Sequence, residues 1–302
     1  MLTAAAHRDR SGFSLTELIV AIALFGVLAA TLTGILVNQQ RLYVASSEII
    51  EARSNVRQAA DILPSELRGI SPARGDIYAM SAMSIEFRLP TGSAVACEID
   101  SSRTSLTIPP QTTSAHSGAS AWLRAPEYGD SLLIYDHGAT NSASDDAWRI
   151  HALAAGLTTG TCSAFTSTAA EAALGHTLSL ASPLPSTVAS GASIRFFRRA
   201  RYELYDAADG QGYLGFSDCL ATRTPACSTK QPVSGPYIRV GSPTSGLLLS
   251  YFDSSGASTA DPRRVARIDV TTRARSRSAM RLPGRPLGDF TDSLSFSIAT
   301  RN

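Results

Sequence analysis

Twenty consecutive residues, Leu18 to Val37, carry no charge. As a helix they extend about 30 Å, the hydrocarbon thickness of a bilayer. The run is rich in Leu, Ile, Val and Ala, and a helix satisfies its own backbone inside lipid. A short leader with His7, Arg8 and Arg10 against one Asp9 precedes it. The positive-inside tendency places that leader in the cytoplasm and everything after Val37 outside. An ordinary secretory signal has its cleavage site after the apolar region. Here the only obvious cut point, Gly12, lies before it, so cleavage discards the basic leader and keeps the apolar helix.

Glu17 stands at the lip of this run. A carboxylate at the centre of a membrane helix costs about 2.5–3.5 kcal/mol, and less near an end. After a cut at Gly12, Phe13 would carry a free α-amino group one helical turn away. The positive end of the helix dipole favours an anion at the same place. Glu17 is thus a partner for its own terminus or for that of a neighbouring subunit. The alternative is a helix-start glutamate that reaches up to the headgroups.

The string Gly12-Phe13-Ser14-Leu15-Thr16-Glu17, with the apolar run behind it, resembles the type IV prepilin processing site of pilins, minor pilins and type II secretion pseudopilins. The resemblance covers Gly12 to about Val37. It implies cleavage between Gly12 and Phe13 by a prepilin peptidase, N-methylation of Phe13, and a subunit-docking role for Glu17. It also implies other minor and major pilins or pseudopilins, and an inner-membrane assembly platform, as partners. The implied location is the inner (cytoplasmic) membrane, single-pass, with a periplasmic C-terminal domain that enters a pilus or pseudopilus. Gly34 falls where many major pilins have a helix-breaking proline. A glycine there weakens a helix by about 1 kcal/mol relative to alanine.

Ile49, Arg53, Val56, Ala60, Leu63 and Leu67 recur at three- and four-residue spacing, which extends the helix to about Arg68. Pro64 removes one backbone donor and is expected to kink it; Gly69 and Pro72 end it. From about Ala73, short alternating runs replace the helical spacing. Expected strands are Ser84–Leu89, Val95–Ile99, Ser105–Ile108, Ser131–Tyr135, Trp148–Leu153, Thr177–Leu180, Ser193–Phe197, Arg201–Tyr205, Tyr237–Val240, Leu247–Phe252, Val265–Thr271 and Ser293–Ala299. Turn signals at Pro109-Pro110, Asp209-Gly210 and Pro283-Gly284 separate several of them. Segments 110–121, 138–147 and 253–262 read as surface loops. The fold class is therefore α+β. In the architecture that the resemblance implies, a long N-terminal transmembrane helix packs on a β-rich pilin-like globular domain. The boundaries are 1–12 for the leader, 13–69 for the transmembrane and stalk helix, and 70–302 for the extracytoplasmic domain. The closing strand from Leu294 to Asn302 is similar to that of the PilW-like minor pilins and the J-type pseudopilins. The chain's length favours the former.

The four cysteines, Cys97, Cys162, Cys219 and Cys227, form no CxxC pair, and no histidine follows His176, which argues against zinc. An even count outside a membrane favours disulfides. Cys219 and Cys227 flank a short loop and are expected to pair, leaving Cys97 with Cys162; buried free thiols are the alternative. The net charge of +2 points to no strong polyanionic partner. The arginines are nonetheless clustered: Arg263, Arg264, Arg267, Arg273, Arg275, Arg277, Arg281 and Arg285 face only Asp261 and Asp269. In the strand from Val265, Arg267, Asp269, Arg273, Arg275 and Arg277 share one parity; Ala266, Ile268, Val270 and Ala274 share the other. That basic face is a candidate for DNA, anionic lipid or an acidic neighbouring subunit, or is simply solvated.

No catalytic centre, metal or cofactor is expected. Gly129-Asp130-Ser131-Leu132 resembles a serine-hydrolase tetrapeptide, but no histidine stands at a telling spacing. The stretch Asp206 to Gly212 lacks the alternating oxygen ligands and closing glutamate of a calcium loop and reads as a β-turn. Without a glycine-rich phosphate loop, the chain is not the motor ATPase.

Overall fold

The computed structural model describes residues 14–112, 119–140, 142–221, 225–241, 244–280 and 286–301. Gly12, Phe13, the basic leader, His116, Arg281, Arg285 and the Pro283-Gly284 turn lie outside the described residues. Helix α1 is Leu15–Leu67. It runs unbroken through Pro64, which sits in the last turn, where Arg68 N donates to the Pro64 carbonyl at 3.2 Å. The helix ends three residues later, at Leu67.

Fourteen strands are described. They are β1 (Ile77–Met80), β2 (Ser84–Val95), β3 (Ser105–Ile108), β4 (Ala121–Trp122), β5 (Ser131–Asp136), β6 (Ala147–Ala152), β7 (Thr158–Gly160), β8 (Gly175–Ser179), β9 (Ser193–Asp206), β10 (Gly212–Asp218), β11 (Lys230–Tyr237), β12 (Leu247–Phe252), β13 (Arg267–Arg275) and β14 (Thr291–Ala299). A one-turn helix α2 (Ala169–Ala172) precedes β8. The long helix followed by a β-rich sheet domain is the expected α+β architecture. The main sheet runs β1-β2-β9-β10-β11-β13-β12, with β14 on the other edge of β13; a second sheet runs β3-β8-β7.

By contact density the chain divides into two compact units. One is Met1–Glu51 with Ser276–Phe290; the other is Ala52–Arg275 with Thr291–Asn302. In the second unit, the end of α1 lies on the sheet. Ala52, Val56, Ala59, Leu63 and Leu67 are buried, and the Tyr237 hydroxyl donates to the Asn55 carbonyl at 2.7 Å. Each fully buried leucine stabilises this seam by about 1.5–3 kcal/mol. The buried face is centred on Asn55 and Ala59, not on Arg53 and Ala60 as the spacing suggests. Arg53 is exposed and pairs with Asp292 of β14 at 3.6 Å.

Strands β2 and β9 pair along almost their whole length, from Ser84 with Glu203 to Val95 with Ser193. The chain between them, residues 96–192, is therefore an excursion inserted between two paired strands, and its β4 and β5 pair back onto β2 and β9. Backbone bonds from Ala96 N to Ala192 O and from Gly191 N to Ala96 O close its neck. A core of its own, including Leu106, Ile108, Leu132, Ile134, Leu178 and Phe196, fills it. The expected strand Val95–Ile99 is not formed, because Cys97 and Ala96 turn into this neck. The separate expectations at Ser193–Phe197 and Arg201–Tyr205 merge into β9. Of the expected Tyr237–Val240 only Tyr237 lies in a strand, as the last residue of β11, which starts seven residues earlier.

Candidate processing and assembly segment

Ser14 precedes the first helical residue and Glu17 is the third within the helix. The Glu17 N–H donates to Ser14 Oγ at 3.2 Å, and Glu17 Oε2 accepts from Ser14 N–H at 3.0 Å and from Ser14 Oγ at 3.0 Å. This reciprocal pair is a capping box: two orphan donors of the helix start are satisfied by two side chains. The sequence signal for it is Ser-x-x-Glu directly before an apolar run. The carboxylate thus reaches back to the residue next to Phe13.

From Leu15 to Val44 every residue of α1 is exposed. The window qualifying as a membrane span is wholly exposed, and Leu18, Ile22, Phe25 and Leu32 are each more than half exposed. Thr31 Oγ1 and Thr33 Oγ1 donate back to the carbonyls of Leu28 and Ala29 at 2.8 Å, so their hydroxyls are satisfied without water. A Cβ added at Gly34 meets nothing within 4 Å, so no contact within the chain requires glycine there. This stretch is a helix long and apolar enough to cross a membrane.

The other sequence candidates are engaged locally. On β13 the parity is as expected: Ile268, Val270, Thr272 and Ala274 are buried and the arginines face outward. Those arginines have partners. Arg267 pairs with Asp269 at 3.1 Å and lies over Phe252; Arg273 Nη1 donates to Ser245 O at 2.9 Å; Arg275 Nη2 donates to Gln211 Oε1 at 3.4 Å. Arg277 falls beyond the strand and pairs with Glu51. Arg267 and Arg277 are thus ion-paired, while Arg273 and Arg275 are held by neutral acceptors.

Ser131 opens β5 opposite Ala152, and the nearby His151 Nδ1 lies 3.1 Å from Ser182 Oγ. Burial lowers the His151 pKa below its ordinary value. Asp209 closes the β9–β10 hairpin, accepting from Gln211 N–H at 2.9 Å and from the Tyr213 hydroxyl at 2.8 Å; Gly210 takes φ 74° there. Cys97 is bonded to Cys162 and Cys219 to Cys227. Buried Glu86 lies against the second disulfide, with Cys219 and Cys227 near enough to make a three-ligand cluster, but both sulfurs are spent in the S–S bond. Glu86 instead accepts from Arg199 and from Arg201.

Residues 7–33 match the family model described as the prokaryotic N-terminal methylation motif. No curated protein and no solved structure matches the chain.

Proposed function

We propose that this type IV prepilin-like chain is a minor pilin that primes or joins a pilus-like filament after its leader is removed. The observation that carries the reading is the uncovered apolar cylinder of α1, headed by the Ser14–Glu17 box and overlapped by the methylation motif. In water such a surface is untenable. A bilayer covers it before assembly, and the helices of neighbouring subunits cover it afterwards. The prepilin peptidase cuts between Gly12 and Phe13, and Phe13 is N-methylated. Arg8 and Arg10 hold the leader on the cytoplasmic side of the inner membrane, which leaves the β-rich domain in the periplasm. The length of the chain supports a PilW-like minor pilin over a J-type pseudopilin.

The role is structural, as is general for chains with this motif. The excursion at residues 96–192, with exposed Leu123 and Leu174, supports a second duty as a filament-borne binding module.

The test is mass spectrometry of the polypeptide from membranes and sheared filaments, with and without the prepilin peptidase. An N-methylated Phe13 terminus that depends on the peptidase, and recovery in filaments, is the expected result. A native chain that keeps its first twelve residues, or that loses α1, refutes the proposal.

A further inference from the structure

Residues 276–280 and 286–290 belong to the same compact unit as the first part of α1, and the assembly reading gives them no task. Arg277 N–H donates to Glu48 Oε2 at 2.6 Å, Ser278 Oγ donates to Glu48 Oε1 at 3.2 Å, and the Arg277 guanidinium pairs with Glu51. Met280 and Gly288 exchange two backbone hydrogen bonds at 2.9 and 3.1 Å, and Ser276 N–H donates to Phe290 O at 2.8 Å. The segment is thus closed on itself and clasped to the helix by two glutamates. Between it and α1 runs a groove of about 720 Å³, lined among others by Val37, Arg41, Val44, Ala45, Met280 and Leu287.

We infer that this groove binds an anionic phospholipid of the leaflet facing the globular domain, with the phosphate on Arg41 and an acyl chain along Val37 and Val44. The inference rests on the reading that α1 spans the bilayer. Three observations choose the occupant. The first is depth. Val37 ends the charge-free run, and Arg41 lies about 6 Å further along the helix axis. The interfacial layer outside the hydrocarbon is about 5–8 Å thick, so Arg41 stands at headgroup level.

The second is shape and chemistry. Val37, Arg41, Val44 and Ala45 fall on one helical face at spacings of four, three and one. They join an apolar wall to a cationic point, and Met280 and Leu287 form the opposite wall. Leu287 is 64% exposed, so this wall is not covered by the rest of the chain. Tyr43, 78% exposed one turn above Gln39–Gln40, suits the aromatic belt of the same interface.

The third is charge. Arg41 makes no ion pair among the described residues, while Glu48, which also lines the groove, accepts from the Arg277 N–H and the Ser278 hydroxyl, and Glu51 pairs with the Arg277 guanidinium. The loop therefore turns donors onto both carboxylates, pairs one of them with a guanidinium, and leaves Arg41 facing the groove as a cation.

The experiment reconstitutes the full chain in phosphatidylethanolamine vesicles containing a photoreactive phosphatidylglycerol with a diazirine on its acyl chain. Crosslinked peptides are mapped by mass spectrometry. In the wild type, label is expected along Leu18–Leu36 and also at residues 37–48, 276–280 and 286–290. Arg41→Gln should lower the label at these groove residues by roughly five-fold, the effect of one cation at a membrane surface, and leave Leu18–Leu36 unchanged. Ala45→Trp, which fills the groove without altering charge, should do the same. Label confined to Leu18–Leu36 in the wild type, or groove label indifferent to both substitutions, overturns the inference while leaving the membrane reading in place. An unlabelled Leu18–Leu36 removes the membrane premise, and the inference with it.

Discussion

Arg198 holds Asp130 with both arms of its guanidinium: Nε donates to Oδ1 at 2.8 Å and Nη2 to Oδ2 at 2.7 Å. The pair sits where one edge of β9 changes partner. Residues 194–197 of β9 pair with β5 and residues 200–206 with β10, so the two strands diverge at Arg198. Asp130 lies just before β5 and Asp218 ends β10; Arg198 reaches both, the second at 3.3 Å. It also donates to the Ala125 carbonyl at 3.2 Å. Side-chain exposure is 3% for Arg198 and 4% for Asp130. The arginine thus ties the root of the inserted excursion to the main sheet.

Removing one member of such a pair leaves a buried charge without a partner. Arg198→Met should therefore cost about 3–5 kcal/mol. Arg198→Met combined with Asp130→Leu should recover much of that loss. Urea unfolding of the full chain in detergent measures both. Equal losses in the single and double variants would mean that the fork, not the charge pair, sets the cost.

The two disulfides should differ in worth. Cys97–Cys162 closes a separation of 65 residues and Cys219–Cys227 one of 8. If a crosslink acts by restricting the unfolded chain, the longer loop contributes about 4 kcal/mol and the shorter about 2.5 kcal/mol. Cys97→Ala with Cys162→Ala is therefore expected to lower the urea midpoint more than Cys219→Ala with Cys227→Ala. The reverse order would place the stabilisation in the folded state, where Glu86 packs against the shorter bridge.

How much of this was legible depended on whether a residue's role is local. The capping pair of Ser14 and Glu17 and the parity of β13 are written at spacings of three and two, and sequence periodicity reads such spacings directly. Strand β10 escaped because Gly212 and Gly215 interrupt its pattern. At Gly215 a Cβ would come within 2.7 Å of the Tyr205 ring on the neighbouring strand, a requirement set 10 residues away. Strand β11 was misplaced because Pro232 and Pro236 read as breakers, and the register with β10 shifts twice to accommodate that stretch. Arg198 was invisible for the same reason at greater range. Its partners stand 68 and 20 residues off, and nothing in an Arg-Arg dipeptide tells which arginine is buried.

Acid should destabilise the domain through His151. Burial, the larger influence, and nearby Arg149 lower its pKa from the ordinary 6.5, against a hydrogen bond to Ser182. The unfolded chain therefore binds a proton that the folded chain resists. Stability is fully present above about pH 6.5 and falls as the pH drops through the unfolded value toward the lower folded one. His176, also lowered by burial, adds to the slope. Glu66 acts oppositely and further down: burial raises its carboxyl from 4.5, so its protonation in the folded state relieves a penalty. Unfolding midpoints at pH 7.5 and 5.5 test this. His151→Gln should shrink the difference between them, and an unchanged difference would remove His151 as the source.

The Ser14–Glu17 box makes it possible to separate two roles of one carboxylate. As a cap, Glu17 needs only an acceptor oxygen for the Ser14 N–H. In the proposed pairing with a methylated Phe13 amine, of its own or a neighbouring subunit, it needs a negative charge. Glu17→Gln keeps the acceptor and removes the charge; Ser14→Ala keeps the charge and removes the hydroxyl that receives the Glu17 N–H. Loss of an N-cap costs about 1 kcal/mol, small beside the tertiary and lipid contacts of a 53-residue helix. Ser14→Ala should accordingly enter filaments near the wild-type level, whereas Glu17→Gln and Glu17→Ala should insert in the membrane, lose their leader and stay there. Quantitative blotting of sheared filaments against membranes reads the ratio. Normal incorporation of Glu17→Gln together with failure of Ser14→Ala would assign the glutamate to capping and leave subunit docking to the apolar face alone.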